Sequence, residues 1–179
     1  MRPILYFFLL MWFNVSAQTK YLTKTGTVSF EASVPAFEEV AAKSNSVTAI
    51  INLENGEFAA LVLVKSFRFK NALMEEHFNE NYAESDQFPK ATFKGKLKNF
   101  NFDNTKSSYT IDGELTFHGK TKTMKTIVIS FKTNDNLITI IGEFSVKASD
   151  FNIEIPKIVS QKISEDIQVQ FQFELQKKN

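Results

Sequence analysis

Ile167-Gln-Val-Gln-Phe-Gln-Phe-Glu-Leu175 decides the fold class. Its apolar residues fall at every second position, so Ile167, Val169, Phe171, Phe173 and Leu175 share one face and Gln168, Gln170, Gln172 and Glu174 the other. A strand repeats its side-chain direction every two residues and a helix every 3.6, so only an extended chain gathers these five together. One oily face and one wet face mark a half-buried antiparallel strand. The same period recurs at Val28–Val34, Val47–Leu53, Phe58–Lys70, Ala91–Phe100, Tyr109–Phe117, Lys125–Lys132 and Leu137–Val146. Between these runs stand turn-forming groups: Glu54-Asn55-Gly56, Asp103-Asn104-Thr105, His118-Gly119-Lys120 and Asn134-Asp135-Asn136. Eight strands joined by short loops predict an antiparallel meander, closed as a barrel or folded as a sandwich.

Two segments depart from this period. Phe37–Lys43 reads as a short helical turn. Lys70–Tyr82 reads as a longer helix, with Leu73, His77, Phe78, Asn81 and Tyr82 at helical spacing and glutamates opposite. The chain shows no internal repeat and no linker, so one domain is expected.

The beginning of the chain follows another rule. After Arg2, residues 4–13 are nearly all apolar, and Val15-Ser16-Ala17 has the small-x-small form of a signal peptidase site. About ten apolar residues are too few to span a bilayer, which needs roughly 20. Residues 1–17 therefore read as a secretory signal and 18–179 as the mature domain, without a membrane-spanning segment. Removing Arg2 takes the formal charge from +1 to zero. A neutral chain argues against nucleic acid or anionic membrane as a partner recognised by bulk charge. There is no cysteine, so the core must hold the fold without disulfides. Three of the 19 Phe lie in the signal, as does the single Trp, Trp12, so the mature chain is rich in Phe and has no Trp. Phe brings buried area without the hydrogen-bonding handle of Tyr or Trp, which predicts a large oily interior. An outer-membrane barrel would need aromatic girdles rich in Trp and Tyr, which this composition does not provide.

Chemistry-bearing residues concentrate in His77-Phe-Asn-Glu-Asn-Tyr-Ala-Glu-Ser-Asp-Gln-Phe-Pro89. Glu76, His77, Glu80 and Glu84 could share a helix face. A metal site needs three or four convergent ligands, and the other histidine, His118, lies in a Phe-His-Gly turn. No metal and no cofactor are expected, and His77 reads as a packing or capping residue, whose replacement by Gln would cost about 1–2 kcal/mol if it makes one buried hydrogen bond.

That stretch, with Ala91-Thr-Phe-Lys-Gly95 after it, resembles the helix-to-strand block of the YceI-like family. Gly113-Glu-Leu-Thr-Phe-His-Gly-Lys-Thr-Lys122 is similar to the family's Gly-x-Leu-Thr turn. Gly142-Glu-Phe-Ser-Val146 with Asp150-Phe-Asn-Ile153 is similar to its Gly-x-Phe…Asp-Phe-x-Ile strand end, and Ile167–Leu175 to its closing strand. The resemblance covers nearly all of residues 18–179. It implies an all-β fold with one or two short helices: an eight-stranded antiparallel lipocalin-like barrel, periplasmic or secreted, holding a polyisoprenoid or similar long-chain lipid.

Alternation then nominates the inward positions: Phe67, Phe69, Phe93, Leu115, Phe117, Ile140 and Phe144 on strands, with Phe78 on the helix expected to close one end. Gly142, between Ile140 and Phe144, is read as leaving room for a guest or a bend. A barrel filled completely by its Phe side chains is the opposing expectation. Three functions stay open on sequence: a non-enzymatic lipid carrier or sequestering protein, an enzyme acting on an isoprenoid or quinone through His77, His118 or the helix carboxylates, and a stress-response module that binds a protein. The oligomeric state, a homodimer included, stays open too. Intact mass of the exported protein is expected to show Gln18 at its N-terminus; retention of residues 1–17 would refute the signal reading.

Overall fold

The computed structural model describes residues 20–35, 37–102, 106–134 and 136–178. The signal segment and the turn at residues 103–105 lie outside the described residues, as does Asp135 of the next turn. Among the described residues nine strands form: β1 Lys20–Ser33, β2 Ala41–Asn52, β3 Glu57–Leu63, β4 Arg68–Phe69, β5 Lys90–Leu97, β6 Ser108–Phe117, β7 Lys120–Asn134, β8 Leu137–Lys147 and β9 Ile163–Lys177. Eight of them close a ring in the order β1-β9-β8-β7-β6-β5-β3-β2, and β2 returns to β1. Every pairing is antiparallel. The two-residue β4 continues along β2 beyond the end of β3, through Ala42 opposite Phe69.

The inward series follow the period of two. Ile138 and Ile140 on β8, Ile129 and Phe131 on β7, and Phe173 and Leu175 on β9 are all buried. Two glycines in these series admit aromatic rings. A Cβ at Gly142 would stand 2.5 Å from Cζ of Phe171, its partner across β8 and β9. A Cβ at Gly113 would stand 2.6 Å from Cζ of Phe93 and 2.4 Å from the Lys94 carbonyl. Both rings therefore lie against the wall in space that only glycine leaves free. The room expected at Gly142 for a guest is taken by the protein's own ring.

Two local expectations are corrected. Phe37–Lys43 is not helical: Ala41, Ala42 and Lys43 begin β2, with Ala41 opposite Glu31 and Ala42 opposite Phe30. Seven residues cannot hold a helix without strong packing, whereas pairing satisfies their backbone and buries Ala42. Ala32 N donates to Val40 O at 2.8 Å, and Val40 N to Ser33 Oγ at 3.1 Å. The Phe58–Lys70 run is two strands separated by a 3-10 turn at Val64–Ser66. The break is fixed from outside the run: Val64 N donates to Pro89 O at 3.0 Å, and Ser66 Oγ lies 2.7 Å from buried Ser44 Oγ.

The expected helix over Lys70–Tyr82 forms as α1, Ala72–His77, followed by a π turn at Phe78–Tyr82. Asn71 caps it, its Oδ1 accepting from Leu73 N at 2.9 Å. The extra residue of the π turn takes Glu80 and Glu84 out of the i, i+4 register assumed from sequence.

One clasp joins the loops at this end. The β6–β7 turn has two residues, His118 (φ 47°) and Gly119 (φ 70°), both in the left-handed region, as a type I′ hairpin requires. His118 Nδ1 lies 2.9 Å from the Phe151 carbonyl, which can only accept, so Nδ1 carries a hydrogen. Its Nε2 lies 2.6 Å from Glu84 Oε2, and Phe88 packs edge-on to the imidazole at 4.6 Å. Nearby Lys122 pairs with Asp150, whose Oδ2 also accepts from Lys147 N at 2.7 Å. The segment after the π turn, the β6–β7 turn and the 3-10 turn at Ala148–Phe151 are thus tied together.

The Lys122 hydrogen bond, helped by the Lys147 N–H, holds the Asp150 carboxyl below its ordinary range. A carboxyl depressed by folding stabilises the protein above its unfolded pKa, and that gain is lost as pH falls through the lower folded value. Asp150→Asn is expected to cost about 1 kcal/mol at neutral pH, a partly exposed pair being well screened. It should also reduce the fall in stability between about pH 5 and pH 2. Denaturant melts of both proteins at those pH values check this; parallel pH profiles would refute it.

Candidate functional site

The barrel encloses a cavity of about 420 Å³. At the far end of the barrel Phe100, Tyr109 and Phe131 pack on one another, with ring centroids 5.4 to 5.8 Å apart. The near end opens among the segment between β1 and β2, α1 with its π turn, and the chain between β8 and β9, which contribute Val40, Met74 and Phe78, and Ile153, Ile155 and Val159 to the lining.

Each of the eight positions nominated from alternation lines this cavity: Phe67, Phe69, Phe78, Phe93, Leu115, Phe117, Ile140 and Phe144. They fall into two aromatic groups. At the mouth Phe78 packs on Phe30, Phe67 and Phe69, with centroids 5.3, 6.1 and 5.2 Å away. This contact pins the π turn to β1 and β4, so Phe78 narrows the opening from one side. Deeper, a chain of rings crosses the lumen: Phe93 to Phe58 at 6.2 Å, Phe58 to Phe173 at 5.7 Å, Phe173 to Phe171 at 5.4 Å and Phe171 to Phe144 at 6.2 Å. Despite this many rings the lumen is not filled, against the expectation of a solid Phe core.

The nominated set omits several lining residues. Phe171 and Phe173 stand in the most regular strand of the chain, and their inward face could have been read from its period. Phe30 and Phe58 follow from the same rule on β1 and β3. Ile153, Ile155 and Val159 come from an irregular segment, and no periodicity announces them.

Polar residues border the cavity at Glu38, His77, Tyr82, Thr92, Lys147 and Lys162, although Thr92 and Lys147, next to inward Phe93 and Val146, turn their side chains outward. Of these, Glu38, His77, Tyr82, Lys147 and Lys162 belong to the mouth segments or flank them. Lys147 donates to Asp166 at 2.9 Å, and this contact holds its ammonium above the ordinary lysine value. The deep wall is hydrocarbon. It can exclude water and embrace an apolar chain, but it offers no groups to stabilise developing charge.

His77 is corrected. It is exposed at the mouth, and Asn71, not His77, caps α1, so the buried hydrogen bond expected of it is not formed. His118 is the enclosed histidine, with its side chain 11% exposed. It faces Glu84 and Phe151 in the clasp and not the lumen. The structure therefore brings Glu84 onto His118, in the clasp, and leaves His77, Glu76 and Glu80 apart from that pair. Among the described residues no three His, Asp or Glu side chains gather as metal ligands would.

Residues 20–175 match the family model for the YceI-like domain. No match was found among curated proteins. Among solved structures, the barrel is similar to a polyisoprenoid binding domain from Saccharophagus degradans implicated in plant cell wall breakdown. That likeness has a TM-score of 0.74 at 14% identity and covers 90% of this chain and 99% of the other. It is similar also to BcnA of Burkholderia cenocepacia, with a TM-score of 0.70 at 18% identity over 84% and 95% of the two chains. The YCEI protein of Campylobacter jejuni gives a TM-score of 0.66 at 16% identity over 82% and 90%. At these identities the structures share the fold. The family-model match extends across the whole barrel, and the chain belongs to the YceI-like family.

Proposed function

We propose that the protein holds a long-chain apolar lipid, of polyisoprenoid or isoprenoid-quinone type, inside the barrel, and that it carries or sequesters this lipid without catalysing a reaction. The observation that carries the reading is the open lumen of about 420 Å³ walled by Phe, Ile and Val. That volume lies within the range of about 300–1,000 Å³ of small-molecule sites, which are mostly apolar with few polar groups. Transfer of a chain from water gains about 0.8 kcal/mol per methylene, so a dozen enclosed carbons supply useful affinity before the costs of association. Likeness in fold to a polyisoprenoid binding domain supports the choice of ligand class. The N-terminal signal reading supports action in the periplasm or outside the cell.

Enzymatic action is the weaker reading. Its two histidines are separated, one at the mouth and one locked into the clasp at 2.6 Å from Glu84.

Organic extraction of the purified protein followed by mass spectrometry is expected to release a long apolar molecule in near-stoichiometric amount. Lumen-filling variants test the wall. Leu115→Trp combined with Phe144→Trp should remove room for roughly two or more methylenes and weaken binding about tenfold or more, with the β-sheet circular dichroism retained. Gly142→Ala is a subtler probe: its Cβ must displace the Phe171 ring toward the lumen, so a shorter or less abundant lipid should be recovered. If no apolar molecule is extracted and an added long-chain isoprenoid is not taken up, the proposal is refuted.

A further inference from the structure

Three large apolar side chains stand in solvent around the mouth: Phe37, 47% exposed, Leu73, 56% exposed, and Ile158, 88% exposed. They belong to three separate segments: the β1–β2 connection, α1, and the β8–β9 connection. Each is the chain neighbour of a residue that lines the cavity, Phe37 of Glu38, Leu73 of Met74 and Ile158 of Val159. The apolar lumen therefore continues through its opening onto an apolar rim. Single exposed apolar residues are ordinary on a protein surface; these three are set apart because one stands on each of the three segments that form the mouth.

We propose that this rim docks on a lipid bilayer, with Phe37, Leu73 and Ile158 entering the interface between headgroups and acyl chains and the open mouth facing the membrane. The inference rests on the reading of the lumen as a lipid site, because such a ligand leaves and re-enters a lipid phase. Isolated apolar tips on separate loops fit a fluid surface that closes around each of them. Lys157 and Lys162, on either side of Ile158, make no ion pair among the described residues and suit lipid phosphates. The rim is not basic as a whole. Glu39 and Glu75 are paired with Lys70 and Arg68, but Glu76, Glu80 and Glu154 stand at the same end. Apolar insertion therefore drives the docking, and zwitterionic lipid suffices for it. The N-terminal segment is a different matter: it joins β1 at Lys20, paired with Asn52, at the end opposite the mouth.

Vesicles of phosphatidylcholine and single tryptophan reporters test the proposal. In a Trp12→Phe background no tryptophan remains, so Ile158→Trp reports only the rim and Val128→Trp only the outer wall, where Val128 is 59% exposed. Ile158→Trp emission is expected to move to shorter wavelength when vesicles are added, and Val128→Trp emission to stay in place. The combined variant Phe37→Ser, Leu73→Ser and Ile158→Ser should float with vesicles at least about tenfold less than its parent while still yielding extractable lipid. Equal flotation of the triple variant and parent, an unmoved Ile158→Trp spectrum, or equal shifts at both reporters would overturn the docking surface. If no lipid is extracted from any variant yet the rim still governs flotation, docking stands and the reading of the lumen falls.

Discussion

β1 is hydrogen-bonded along both edges, to β2 on one side and β9 on the other, and the rest of the molecule depends on this double pairing. It removes the free edges that an open sheet would present, and it fixes the circumference at eight strands. A ring of that size has an interior just wide enough for side chains to fill or for one slim ligand to occupy. Which of these occurs depends on how the inward side chains lie. Phe171 lies opposite Gly142, and the Phe93 ring reaches Gly113, two residues along β6 from its partner Leu115, so both rings fold against the wall. Two missing methyl groups thus help to keep open a lumen lined by far larger residues.

The blocks that make the family legible all contribute apolar residues to the cavity wall, Phe93, Leu115, Phe144 and Phe171 among them, but their polar residues serve a different purpose. Glu84 and Phe88 from the helix-to-strand block, His118 and Lys122 from the second, and Asp150 and Phe151 from the third meet in one clasp. Their polarity serves loop geometry: a histidine between a carbonyl and a carboxylate, and a lysine against a carboxylate that also receives a backbone N–H. Only a fixed spacing brings such groups together, so these residues leave a recognisable pattern. The wall asks only for apolar bulk at alternate positions, and many sequences satisfy that. Membership of the family is therefore easier to read than the identity of the ligand.

The same contrast separates what the sequence disclosed from what it concealed. Strand periodicity identified the inward faces of β5, β6, β8 and β9 correctly, because a one-residue slip would turn a whole apolar face to water. It failed at Phe37–Lys43, where Glu, Ala and Lys suggest a helix but pairing with β1 decides. It failed also at Val64–Ser66, whose turn is held by Pro89 and Ser44, residues distant in sequence. His77 attracted a structural role because it shares helical spacing with Leu73 and Phe78, yet the helix presents it to solvent at the mouth. His118 received less weight because a two-residue turn does not suggest enclosure.

The distribution of polar groups orients a guest on the proposed function. Deep in the lumen the wall consists of rings and aliphatic chains, and burying a headgroup there would leave its polar atoms without partners, a cost of several kcal/mol. Glu38, His77, Tyr82 and Lys162 all stand at or beside the opening. A bound lipid therefore enters tail first and keeps its headgroup among these side chains, in reach of water. Phe78, packed between Phe30, Phe67 and Phe69, then grips the chain just below the headgroup. On that reading shape and length are judged by the lumen and head chemistry by the loops.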